Sequence, residues 1–156
     1  MKMQEVRVKT ILALVDFSSA TDPVVDMACR LAAAPGARVC LLHVASPDPD
    51  FVGYEIGPQT VRDSRAASVR KEHRLLEEMS EHIRSKGISV EALLVQGPTV
   101  EKILQESERL EAEALVMGSH GHGALRKLLV GSVAEGVLRK ARRPVVVVPA
   151  STGNPA

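Results

Sequence analysis

Five short apolar, β-branched runs alternate with four stretches of helical periodicity along this chain, and that alternation admits few folds. The runs are Ile11 to Val15, Arg38 to Ala45, Ser89 to Val95, Ala114 to Met117 and Pro144 to Val148. Between them, Val24, Met27, Ala28, Leu31 and Ala32 recur at helical spacing, and Gln59 to Lys86 carries Val69, Leu75, Leu76, Met79 and Ile83 on one face. Val100, Ile103, Leu104 and Leu110 mark a third helix, and Ser132 to Ala141 a fourth. Strands alternating with helices build βαβ units and hence a parallel sheet. Right-handed crossovers then place helices on both faces.

The punctuation supports the same reading. Ser19 or Asp22 is placed to cap the first helix, whose first turn takes Pro23. Pro35-Gly36 and Gly87 end the first two helices, Gly97-Pro98 opens the third, and Ser132-Val133-Ala134-Glu135 reads as a capping box. Ser46 to Pro58, rich in Pro, Gly and Asp, reads as a long exposed loop. The expected fold is α/β: an open five-stranded parallel sheet with helices on both faces. One domain is expected over residues 1–156, with its core from about 9 to 149 and a flexible tail at 150–156. The last strand, uncharged and mostly Val, suits burial on both faces or packing against a partner.

Composition removes several function classes. Aromatic residues make up 2% and Trp is absent, which argues against platforms that stack bases. The formal net charge is +1 with no long run of one sign, so no nucleic-acid partner is expected. The basic group Arg139, Lys140, Arg142 and Arg143 suits a helix C-terminus. Cys29 and Cys40 lie in apolar runs without a CxxC spacing, as buried free thiols do, and no zinc site is expected. The polar stretch from Met1 to Lys9 lacks the apolar core of a signal peptide, and no apolar run approaches a membrane span. A reduced, cytoplasmic protein is the expectation.

Ligands in open parallel sheets sit beyond the C-terminal strand ends, where strand order reverses. Gly118-Ser119-His120-Gly121-His122-Gly123 follows a strand directly. Glycines let main-chain N–H groups approach an anion, and successive N–H groups in a turn make a nest for one. The helix that starts at Gly131-Ser132 adds its free N–H groups and dipole. No GxxxxGK[ST] occurs, and no GxGxxG opens a helix after the first strand, so neither a P-loop nor a dinucleotide fingerprint is present.

Asp16 ends the first strand, where its carboxylate either accepts from ribose hydroxyls or an adenine amine or caps the next helix. Met117 and Val44 close strand ends as adenine walls or as ordinary core. His43 reads as a hydrogen-bonded core histidine. His120 and His122 make a poor metal site without a carboxylate cluster, and a place near phosphate suits them better. Arg126 and Lys127 either reach phosphates or are solvated.

Together these segments resemble the universal stress protein family, from about Lys9 to Pro149. Ile11 to Ser18 is similar to the family's first strand with its Asp, and Leu41-Leu42-His43-Val44 to its second. Gly118-Ser119-His120-Gly121, nine residues, then Gly131-Ser132 is similar to the family's ATP-binding pattern. The resemblance implies a single-domain, ATP-binding member with strand order 3-2-1-4-5, the adenine nucleotide alpha hydrolase-like fold. Asp16 would contact ribose or adenine, and Leu14 and Val44 would line the adenine pocket. Met117, Gly118, Ser119, His120, Gly121, His122 and Gly123 would wrap ribose and phosphates, and Gly131, Ser132 and Val133 would bind the distal phosphates. Mg2+ or Mn2+ would accompany the ATP, and the last strand, 144–148, would form a homodimer. His122 stands where the family often has Arg or Lys, which weakens the attraction for phosphate or ties it to pH.

The functional expectation is a nucleotide-dependent regulatory protein of the stress response, with hydrolysis slow or absent, because no general base is evident beside the phosphates. The alternatives are a slow ATPase or nucleotidyl transferase on the same fold, or a dimeric scaffold that uses no nucleotide.

Overall fold

A computed structural model describes residues 9–45, 59–120 and 130–149, with backbone alone for 59–61. The chain runs β1 (Thr10–Leu14), α1 (Thr21–Leu31), β2 (Arg38–Ala45), α2 (Gln59–Ser85), β3 (Ser89–Gln96), α3 (Thr99–Arg109), β4 (Ala114–Gly118), α4 (Ser132–Lys140) and β5 (Val145–Val148). The strands form one parallel sheet in the order β3-β2-β1-β4-β5. Leu14 lies opposite Leu42, Ala13 opposite Val116, and Gly118 opposite Val148.

The central strands are mostly apolar, continuously so from Ile11 to Leu14 and from Val39 to Leu42, because both faces are covered. Ile11, Ala13, Val15, Val39 and Leu41 pack with Val24 and Ala28 of α1 and Leu76 and Ile83 of α2. Leu12, Cys40, Leu42, Leu115 and Met117 pack on the opposite face with Ile103 of α3 and Ala134 and Val137 of α4. Alternation along each strand thus divides one hydrophobic run between two layers. Burying each of these Leu and Ile side chains contributes roughly 1.5–3 kcal/mol. Cys40 lies fully in the core, and burial pushes its thiol up to about 12.

Both expected side-chain caps are absent. Helix α1 has Ala20 at its N-cap and no side-chain cap hydrogen bond. Ser18, not Ser19 or Asp22, organises the approach: its N–H donates to Asp16 Oδ1 at 3.0 Å, its Oγ accepts from Ala20 N–H, and its carbonyl accepts from Thr21 N–H. Helix α4 likewise begins one residue earlier in register than the capping box requires. Gly131 is the N-cap, so Ser132 is already helical, and Glu135 pairs with Arg139 at 2.7 Å on the exposed side. Gly87 does end α2 as expected, with a φ of +80° that suits glycine.

Strand β5 is a sheet edge. Val145, Val146 and Val147 are half-buried, so burial on both faces is not met within this chain. Among the described residues, no helix is long and apolar enough to cross a membrane. The loop expected at Ser46 to Pro58 and the tail expected at 150–156 lie outside the described residues.

Candidate functional site

Strand order reverses between β1 and β4, and a cleft of about 350 Å3 opens beyond their C-terminal ends. That is a pocket volume suited to a small organic ligand. The ends of β1, β2 and β4 form its floor, and the first residues of α1, α3 and α4 (Thr21, Thr99 and Ser132) enter its wall. Three helix N-termini therefore converge on one space, each with backbone N–H groups that the helix itself leaves unpaired.

Leu14, Asp16, Val44, Met117, Gly118, Ser119, His120, Gly131, Ser132 and Val133 all line this cleft. Gly121, His122 and Gly123, together with Arg126 and Lys127, lie outside the described residues. Leu14, Val44 and Met117 supply apolar surface from three adjacent strand ends. Asp16 supplies the only carboxylate among the described lining residues, and its Oδ1 shapes the turn through Ser18 without capping α1.

The far side of the cleft is held by backbone. Ser119 N–H donates to Val148 O at 2.8 Å, and Gly131 N–H donates to Ser119 O at 2.6 Å. The first bond ties the end of β4 to the end of β5, and the second ties it to the start of α4. A Cβ at Gly118 would sit 2.8 Å from the Ala20 Cβ, and one at Gly131 would sit 3.3 Å from Ser119 O. Gly118 therefore needs glycine for close approach, and Gly131 leaves a side chain little room. The first i→i−4 bond of α4 is Glu135 N–H to Gly131 O, which leaves the N–H groups of Ser132, Val133 and Ala134 without partners in the helix. Ser119 Oγ and His120 Nδ1 lie 3.0 Å apart beside them.

The cleft also contains Val15, Ala20, Thr21, Leu42, Thr99 and Ile103, which sequence reasoning did not name as site residues, and His43, which it read as core. Thr21 and Thr99 were findable, because each begins a helix that starts at a strand's C-terminal end. The Thr21 side chain is 6% exposed and its Oγ1 has no hydrogen-bond partner. His43 was expected to be a hydrogen-bonded core histidine, and it is one: it is 8% exposed with Nδ1 2.8 Å from Val15 O. Among the described residues, no group of three or more His, Cys, Asp or Glu is placed to hold a metal ion.

A sequence profile of the Universal stress protein family matches residues 7–149. The chain belongs to the universal stress protein family. It is 35% identical over 143 residues to the "Universal stress protein in QAH/OAS sulfhydrylase 3'region" of Thermus aquaticus, covering 90% of this chain and 98% of that relative. The solved structure of the MJ0577 protein, from Methanocaldococcus jannaschii, superposes with a TM-score of 0.80 at 26% identity, over 92% of this chain and 97% of that one. A family member from Arabidopsis thaliana, solved with AMP bound, shares the fold at 20% identity and a TM-score of 0.67, over 92% and 93% of the two chains. The sheet order of this universal stress protein is the one its fold relatives share.

Proposed function

We propose that this universal stress protein is an ATP-binding regulatory protein of the single-domain type. The observation that carries the reading is the make-up of the cleft wall: three apolar strand ends, the open N-terminus of α4, and the Asp16 carboxylate just beyond β1. A planar base suits the first, a polyphosphate the second. Leu14, Val44 and Met117 hold the adenine and Asp16 accepts from the ribose hydroxyls or the adenine amine. Gly118, Ser119 and His120 wrap the ribose and first phosphates, with Gly121, His122 and Gly123 continuing that loop. Gly131, Ser132 and Val133 bind the distal phosphates. The family relative with AMP bound supports an adenine nucleotide.

The described donor set offers hydroxyls and one carboxylate, too few for a protein-built cation cage. A Mg2+ or Mn2+ would therefore arrive on the phosphates, with Ser132 Oγ as a protein oxygen within the same part of the cleft. Its chemistry there is charge neutralisation. Asp16 belongs to the strand-end side of the cleft, so the reading assigns this protein binding and regulation, with turnover far below the roughly 1–100 per second of kinases. We further propose a cytoplasmic location, no nucleic-acid partner, and a homodimer through the free edge of β5.

Mass spectrometry of the denatured purified protein should release an adenine nucleotide, and calorimetric titration with Mg-ATP should show one site per chain. Absence of both would overturn the reading. Analytical ultracentrifugation should give twice the 16.7 kDa chain mass, and a monomer at all concentrations would remove the dimer.

A further inference from the structure

We propose that Glu72 and His43 form a positioning relay for the cleft, in which Glu72 on α2 orients the His43 imidazole and His43 holds the turn that presents Asp16. The inference rests on the nucleotide reading of the cleft and adds to it residues outside the glycine–serine pattern.

His43 occupies a place where β2 otherwise turns Val39 and Leu41 toward α1 and α2, so a polar ring in that row needs partners. Its Nδ1 lies 2.8 Å from Val15 O. A carbonyl oxygen only accepts, so Nδ1 carries the hydrogen. Val15 N–H meanwhile continues the sheet ladder to Leu42 O at 3.0 Å. Val15 is thus held on both sides, once by backbone and once by imidazole, at the last point before the chain leaves the sheet.

The other ring nitrogen points at a carboxylate. His43 Nε2 is 3.5 Å from Glu72 Oε2, and Ser68 Oγ donates to Glu72 Oε1 at 3.4 Å. Glu72 Oε2 is itself buried and has no hydrogen-bond partner, so the imidazole is the polar group set against it. With a carbonyl accepting at Nδ1 and a carboxylate facing Nε2, the ring plane is set from both sides, and the contact with Glu72 is an ion pair when the ring carries both hydrogens.

The relay adds to a turn that the Ser18 N–H to Asp16 Oδ1 bond ties locally and that carries strain at the residue between them. Phe17 has a φ of +60°, in the left-handed region that costs a bulky residue energy. Its ring lies against the His43 ring, with centroids 4.7 Å apart at 47°. Asp16 sits between Val15, whose carbonyl His43 grips, and Phe17, whose ring His43 supports. Val15, Asp16 and His43 all line the cleft. A displaced imidazole would free the Val15 carbonyl and remove the support under the Phe17 ring, on either side of Asp16.

Four variants separate this role from simple core packing. His43→Asn puts an amide N–H where Nδ1 is, His43→Gln puts one near Glu72 and loses Val15, His43→Leu fills space only, and Glu72→Ala removes the orienting carboxylate. Calorimetric Kd values for Mg-ATP should rise about fivefold to tenfold in His43→Gln and His43→Leu, as loss of the buried bond to Val15 implies, should rise in Glu72→Ala, which removes the carboxylate facing Nε2, and should return to within about threefold of wild type in His43→Asn. Equal Kd values across the folded variants would overturn the relay, and so would a His43→Asn no better than His43→Gln.

Long-range 1H–15N NMR of the wild type should show His43 protonated at Nδ1. A bare Nδ1 would overturn the relay even if His43→Leu fails to fold. If the wild type binds no adenine nucleotide, the nucleotide reading fails by itself. The relay is then judged by the backbone amides of Asp16 and Ser18, which must shift in Glu72→Ala for it to stand.

Discussion

Adding one methyl group at Gly118 tests how closely the cleft is built. The new Cβ would lie 2.8 Å from the Ala20 Cβ and 3.2 Å from His120 O. Carbon atoms in contact prefer roughly 3.5–4.0 Å, so the first overlap is about an ångström. Neither partner is a flexible side chain: one belongs to the N-cap of α1 and the other to the backbone after β4. The overlap must be relieved by moving α1 or the loop, both of which line the cleft. Overpacking of this kind costs about 1–3 kcal/mol, which for a domain of this size lowers Tm by roughly 2–12 °C. The displaced walls should also weaken Mg-ATP binding by about tenfold, equivalent to about 1.4 kcal/mol.

The informative control is Ala20→Gly. It removes the nearest obstacle, so the double variant should recover most of the stability that Gly118→Ala loses, a coupling that only residues in contact show. Thermal melts and titration calorimetry on the wild type, both single variants and the double variant complete the cycle. A Gly118→Ala protein as stable and as tight as wild type would refute the reasoning, as would additive losses in the double variant. The same contact makes Gly118→Val a poor probe of binding alone, because its bulk must disturb the fold as well.

Three further outcomes follow from the geometry. Ser132→Ala should change unfolding free energy by less than about 0.5 kcal/mol, since Ser132 is not the N-cap of α4, yet weaken Mg-ATP binding by about twofold to tenfold. A stability loss near 1 kcal/mol in urea titrations would instead restore the capping box. Cys40, whose folded pKa is raised by burial from 9.0 to about 12, favours the neutral thiol in the fold. Its contribution to stability is present below about pH 9 and is lost as pH rises toward 12, so the urea midpoint should fall across that window in wild type and fall less in Cys40→Ala. Leu76→Ala, which empties a fully buried position between α2 and the sheet, should cost about 2–5 kcal/mol by the same titration, and a loss under 1 kcal/mol would mean α2 packs less closely than described.

The strands were legible because burial on two faces leaves no room for polar residues. Ile11 to Leu14 and Val39 to Leu42 have to be apolar throughout, and a continuous run is visible without knowing which layer each residue meets. The cleft was legible where backbones approach closely, at Gly118 and more loosely at Gly131, since the spacing of glycines carries that signal directly. Helix caps were not legible at the same level. Ser19, Asp22 and the Ser132–Glu135 pair all have the right chemistry, but capping depends on the backbone angles at entry, and the turn around Ser18 and the register at Gly131 decide those.

Glu72 was invisible for a related reason. In α2 it stands among charged residues that face water, and only its position one turn before Leu76 puts it on the inner side. His43 could be read as a core histidine, but its two partners come from β1 and α2, and no local pattern joins Val15, His43 and Glu72.

The reversal of strand order between β1 and β4 has a consequence for how the protein is made. The three strands before Thr99, β1, β2 and β3, form one half of the sheet, and β4 and α4, which close the cleft, lie in the last third of the chain. A chain emerging from the ribosome N-terminus first can pair β1, β2 and β3 while no complete cleft yet exists. On the proposed nucleotide reading, a ligand would have no complete cleft to enter until Gly131 and Ser132 have cleared the exit tunnel. It would then stabilise this universal stress protein only as a finished product, by mass action on the native state; the early half must reach its fold on its own packing.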